Sequence, residues 1–155
     1  MHHKYLDQIA QIIARYLREV MLDAGEKFSF ETVFSHASNI EIMQRATDAG
    51  YKVYLYFVGT ESPEINKQRV HARVQKGGHH VPEDRIESRY YRSPDLLFGA
   101  AEVCYQAYFF DNSKQDSDAA MLAHFKVEKL KKKWEIADIE NLPTWFVEYY
   151  LSKLL

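Results

Sequence analysis

Cysteine is almost absent. Cys104 is the only one among 155 residues, which excludes an internal disulfide and any metal site built on several thiolates. It reads most simply as a buried apolar residue in a reducing compartment. Long apolar runs are missing as well: no stretch approaches the roughly 18 residues that span a bilayer. Met1-His2-His3-Lys4 offers no apolar signal core, so a cytoplasmic location without a membrane partner is expected. Charge of one sign is also lacking. The 20 Lys+Arg stand against 22 Asp+Glu for a net of −2, which argues against non-specific nucleic-acid binding as the main task. The chain contains no HExxH, no nucleophile elbow, no paired-carboxylate motif and no metal-ligand cluster. What it has instead is aromatic residues: 11 Tyr, 9 Phe and 2 Trp, within a hydrophobic content of 46%. That supplies a sizeable core, excludes disorder, and fits one domain over residues 1–155.

Periodicity then lays out the elements. Leu6, Ile9, Ile12, Ile13, Tyr16, Leu17, Val20 and Met21 recur at helical spacing, with Gly25 as a left-handed stop. Residues 27–34 (KFSFETVF) read as a strand. Ser38 with Glu41 has capping-box spacing and opens a helix that Gly50 stops. Residues 51–58 (YKVYLYFV) read as a buried strand, so that strand, helix and strand suggest a parallel βαβ unit. Ser62-Pro63-Glu64 starts a helix that breaks at Gly77-Gly78. Pro82 starts another through Arg92, and Ser93-Pro94 restarts the chain into a helix of small packing residues. Residues 107–110 form a short buried strand ending in Asp111-Asn112-Ser113. A polar loop follows, then a peripheral hairpin from 122–128 and 132–136, and a closing helix over 142–155.

The charge is unevenly placed. Residues 67–92 carry seven Lys+Arg against three Asp+Glu, so this segment is +4 in a chain that is otherwise −6. Within it Arg85, Arg89 and Arg92 share a helical face, where like charges repel unless anions visit. This is either a phosphate clamp hinged at the glycines or a solvated basic face neutralised by Glu83, Asp84 and Glu87. Glu31, mid-strand among aromatic residues, is either a buried carboxylate with a task or an edge carboxylate facing water. Thr60 follows a strand end, where α/β sheets bind ligands, or it caps the next helix. Asp111-Asn112 shares that position and that ambiguity. His36, His71 and His124 are scattered, and their bland reading as surface or satisfied histidines is preferred.

Several motifs in register resemble the zeta-toxin-like P-loop kinases, in their "predicted ATPase" branch. They are residues 30–35 (FETVFS), 50–60 (GYKVYLYFVGT), Arg69-Val70 with Arg73-Val74, Gly77-Gly78-His79 with Val81-Pro82, Ile86 with Arg89-Tyr90 and Arg92-Ser93, and residues 108–113 (YFFDNS). The resemblance covers residues 5–113. It implies an α/β, P-loop-kinase-like three-layer fold, a parallel sheet flanked by helices, with the hairpin and helix as a small C-terminal addition. It implies ATP with Mg²⁺ as cofactors and a small hydroxyl-bearing substrate; zeta toxins phosphorylate UDP-N-acetylglucosamine and are neutralised by an antitoxin. By resemblance Arg73, His79, Arg89 and Arg92 belong to a phosphate-contacting lid over 77–93. Glu31 and Thr60 belong to the acceptor pocket, and Asp111 and Asn112 to the nucleotide-base side. The family's G-x-x-x-x-G-K-[ST] loop, the strand before it and the upstream aspartate base are not in this sequence. The polypeptide is therefore expected to be inactive or nearly so alone, or to act as a non-catalytic module that binds an antitoxin or a second subunit. The missing central strand also leaves edges expected to be covered by self-association, another chain or rearranged local elements.

Overall fold

The computed structural model describes residues 2–155; Met1 and the side chains of residues 2–4 and 7, including the polar Asp7 of the first helical pattern, lie outside the described set. Two compact units emerge, one up to Thr32 and one over Val33–Leu155. The first is dominated by α1 (His2–Asp23), whose Leu6, Ile9, Ile12, Ile13, Tyr16 and Leu17 form an exposed apolar stripe. The segment after it was expected to be a strand. It forms none: residues 27–34 carry no strand, because strand propensity in one segment does not supply the neighbouring edge that a ladder needs. Local contacts shape it instead, with the Arg18 guanidinium 4.5 Å from the centre of the Phe30 ring.

The second unit is built on one four-stranded sheet in the order β1 (Tyr54–Gly59), β2 (Gln106–Asp111), β3 (Ala120–Glu128), β4 (Lys131–Ile136). The expected α/β class holds. Its parallel pair is β1 with β2, linked through α3 (Pro63–Gln75) and α4 (Glu83–Glu102); no βαβ unit starts from residues 27–34. The hairpin expected at the periphery is instead part of the main sheet, since β3 pairs antiparallel along the whole of β2 and then with β4. Its turn places Lys129 and Leu130 at φ 50° and 65°, the double left-handed geometry that matches strand twist but suits Asn-Gly better than these residues.

Alternation along the strands makes one inner face of Leu55, Phe57, Ala107, Phe109, Ala123 and Phe125, all buried. α4 and the short α5 (Thr144–Tyr149) cover it. Phe109 is the hub, with ring centres 4.7 Å from Tyr150 and 5.0 Å from Phe146. The closing segment is α5 followed by a 3-10 turn, Leu151–Lys153, rather than one long helix.

Helix ends follow the glycines. α2 (Ser38–Asp48) stops with Gly50 at φ +87°, Tyr51 donating to the Ala46 carbonyl and Gly50 to that of Thr47. α3 stops the same way at Gly77, φ +88°, with bonds from Gly78 to Arg73 and from Gly77 to Val74. The start of α2 differs from expectation. Ala37 occupies the cap, and the Ser38 hydroxyl is 2.8 Å from Nδ1 of His36 rather than capping the helix. The break expected at Ser93-Pro94 is absent as well: α4 runs through a buried Pro94. Proline forfeits one ladder bond there, and the buried line of Ile86, Leu97, Ala100 and Ala101 offsets the loss by continuing on one face.

The fully buried Tyr150 has no partner for its hydroxyl among the described residues, and burial pushes that hydroxyl's pKa up. An unsatisfied buried hydroxyl costs about 1–3 kcal/mol. Tyr150→Phe, which keeps the ring, is therefore expected to raise stability by about 1 kcal/mol in urea melts. A loss of stability would show that the hydroxyl has a partner.

Candidate functional site

The parallel strands β1 and β2 end side by side, where α/β sheets usually take ligands. Each end is tied down by side chains. Thr60, buried at the end of β1, directs its hydroxyl to Asn66 Oδ1 at 3.2 Å, and its carbonyl accepts from the Tyr90 hydroxyl at 2.9 Å. Tyr90 comes from α4, so this bond fixes α4 against the strand end. Burial, reinforced by the charge of Glu61, pushes the Tyr90 pKa up to about 12. The group therefore stays a donor at neutral pH. Ser62, not Thr60, stands at the cap position of α3.

At the end of β2, Asp111 accepts from the Ser113 hydroxyl at 2.6 Å and from Nε1 of Trp145 at 3.0 Å. Asn112 N–H donates to the Gly59 carbonyl at 2.9 Å. Trp145, brought in by α5, lies so close over Gly59 that a Cβ there would fall 2.4 Å from the indole. Glu61 closes the ring of contacts by accepting from Thr144 N–H at 3.0 Å. Asp111 is thus joined to a residue from the far end of the chain, a link that no spacing in the sequence announces.

Beside this crest runs a cationic groove of about 500 Å³ lined by Arg69, Ala72, Arg73, Lys76, Gly77 and Gly78. Its three cations recur at i, i+4 and i+7, Arg69 and Arg73 on α3 and Lys76 at its C-cap. Arg69 reaches from the groove to the strand end, with Nη2 at 3.2 Å from the Lys114 carbonyl and 3.5 Å from Asn112 Oδ1. Planar guanidinium forks and a point-charge ammonium on one wall suit oxygen-rich anions. α3 and α4 are held together across the glycine break by Lys67–Glu87 at 2.7 Å and His71–Glu83 at 3.2 Å. The hydrogen bond that Lys67 donates to Glu87 raises the Lys67 pKa.

Arg73 lines the groove, and His79 is exposed just beyond it. Because α4 is continuous, Arg85, Arg89 and Arg92 do share a face; Arg92 bends back onto Ser88 of its own helix, with Nε 3.3 Å from the Ser88 carbonyl. Glu31 is exposed in a segment of the first unit that forms no strand, so the expectation of a mid-strand carboxylate is corrected. Sequence reasoning missed Arg69 and Lys76, although the spacing rule applied to α4 finds them along α3 and its C-cap. Trp145 and Tyr90 had no such signal. No cluster of three or more His, Cys, Asp or Glu suited to a metal occurs among the described residues. No helix is long and apolar enough to cross a membrane among them either.

A family model described as "Zeta toxin" matches residues 3–109. An uncharacterized protein of Haemophilus influenzae (strain ATCC 51907 / DSM 11121 / KW20 / Rd) is 40% identical over 99 residues, covering 54% of this chain and 71% of its own length. No solved structure matches.

Proposed function

The chain belongs to the zeta toxin family, and from that premise we propose that it serves ATP-dependent phosphorylation of a small hydroxyl-bearing molecule, with a nucleotide sugar as the leading acceptor class. The observation that carries this reading is the cationic groove on α3, tethered through Arg69 to the end of β2. Phosphoryl transfer depends on positioning and on neutralising oxygen charge. Arg73, with Arg69 and Lys76, would hold phosphate oxygens, and His79, Arg89 and Arg92 would complete the phosphate-contacting side. Asp111 and Asn112 would flank the base, and Thr60 would serve the acceptor. The donor set fits the phosphates of ATP. Magnesium has no carboxylate cradle among the described residues, and the phosphate contacts do not depend on one.

A second reading, a non-catalytic module binding an antitoxin or a second subunit, is favoured by one observation: the sequence given contains no G-x-x-x-x-G-K-[ST]. Titration calorimetry with Mg-ATP separates the two. Binding by the wild-type chain, weakened at least about tenfold in Arg73→Glu and in Arg89→Glu with unchanged circular dichroism, is the expected result for a phosphate groove. Absence of binding by a folded sample would overturn the groove assignment and leave the module reading. Where binding is found, transfer of labelled γ-phosphate to a panel of nucleotide sugars tests the acceptor.

A further inference from the structure

The two edges of the sheet are unlike. β4, the far edge, reads KKKWEI, and its lysines guard it against pairing. β1, the near edge, reads YLYFVG, without charge, proline or bulge, and Tyr54, Tyr56 and Val58 are exposed by 48%, 62% and 53%. The carbonyls of Val53 and Gly59 both accept from the β2 side. Backbone groups alternate along a strand, so the N–H and C=O of Tyr54, Tyr56 and Val58 point away from β2. Three donors and three acceptors stand in one row on an unguarded apolar edge. On the same face Tyr56 begins a ring stack across the sheet. Its centre is 4.7 Å from Tyr108 with planes 2° apart, and Tyr108 is 4.2 Å from His124. The outer face of the Tyr56 ring ends that stack at the sheet's edge.

We infer that β1 pairs antiparallel with β1 of a second copy of this chain about a two-fold axis at Tyr56, joining two four-stranded sheets into one of eight. In this register Tyr56 lies opposite Tyr56 of the second copy, and Tyr54 opposite Val58 of the second copy. All outward-pointing groups then bond, two for each opposed pair. Because the axis stands perpendicular to the sheet, the aromatic faces lie on one side and the stack continues from ring to ring across the axis. Leu55 opposes Phe57 of the second copy on the inner side, so both cores extend. The occupant is a second copy rather than any apolar strand because the row is self-complementary about Tyr56. The lysine-guarded β4 edge ends growth there, which gives a closed dimer instead of a filament. A strand-to-strand interface of this length is small, so the dimer is expected to dissociate in roughly the micromolar range.

Analytical ultracentrifugation of the full chain from about 5 to 500 µM should show a concentration-dependent monomer–dimer equilibrium. Tyr56→Lys, which places on this edge the device β4 already has, should remove the dimer without changing the circular dichroism. The register has its own readout. Tyr56→Cys brings two thiols opposite each other about 5.5 Å apart at Cα, within disulfide reach, and mild oxidation should give a covalent dimer. Tyr54→Cys, which faces Val58 of the second copy, should not cross-link. The buried Cys104 gives little background. A wild-type chain that stays monomeric, a dimer that survives Tyr56→Lys, or equal cross-linking of the two cysteine variants would each overturn the inference. All three readouts are independent of nucleotide binding.

Discussion

Phe109→Ala is expected to cost about 3–5 kcal/mol of folding stability, the range for removing a fully buried aromatic ring. Phe109 sits at the centre of β2 with no exposure, against Phe125, Trp134, Phe146 and Tyr150. Those four neighbours come from β3, β4 and the C-terminal segment, and none is free to collapse into the space, because each also packs on another of them. A domain of this size has about 5–15 kcal/mol in total, so the variant stands close to unfolding. Equilibrium urea denaturation measures the loss. A change below about 1 kcal/mol would mean that the cluster relaxes around the gap and that Phe109 is not its hub.

Gly59→Ala adds a single methyl group, yet its expected cost is comparable. The new Cβ would fall 2.4 to 2.7 Å from three atoms of the Trp145 indole, and Trp145 is itself buried. Overpacking of this kind costs about 1–3 kcal/mol. The ring's retreat also breaks the bond from Nε1 to Asp111, whose acceptor is a carboxylate and is worth about 1.5–3 kcal/mol more. The diagnostic comparison is a double-mutant cycle. Gly59→Ala in a Trp145→Leu background should lose far less than in the wild type, since the clash has been removed. Additive losses would show that the alanine is tolerated where it stands and that the effect arises elsewhere.

These two sites differ in how visible they are from the amino-acid order. The run around Phe109 announces a buried strand, and the helix stops at Gly25, Gly50 and Gly77 are local chemistry, so both are legible. The strand expected over residues 27–34 fails for the opposite reason: pairing is a property of two segments, and aromatic composition in one of them does not supply the other. Pro94 reads as a break because its lost hydrogen bond is local, whereas the burial that outweighs it is tertiary. In the candidate site, the arginine face of α4 follows from spacing, and Arg73 from the resemblance of its motif. The lock of Trp145 on Gly59 and Asp111 joins residues 34 and more positions apart, and only the folded chain brings them together.

The pairing of β1 with β2 has a consequence for how the chain is made. Tyr54 meets Gln106 in that ladder, so β1 leaves the ribosome about 50 residues before the strand it needs. At the usual pace of about 5–20 residues per second, YLYFVG waits some seconds with both edges bare. β2, β3 and β4 follow one another closely and can zip as they appear. Synthesis of this protein therefore passes through a window in which its stickiest segment is the one with no mate, and crowding of nascent chains on one message, rather than instability of the finished fold, sets its hazard of misassembly.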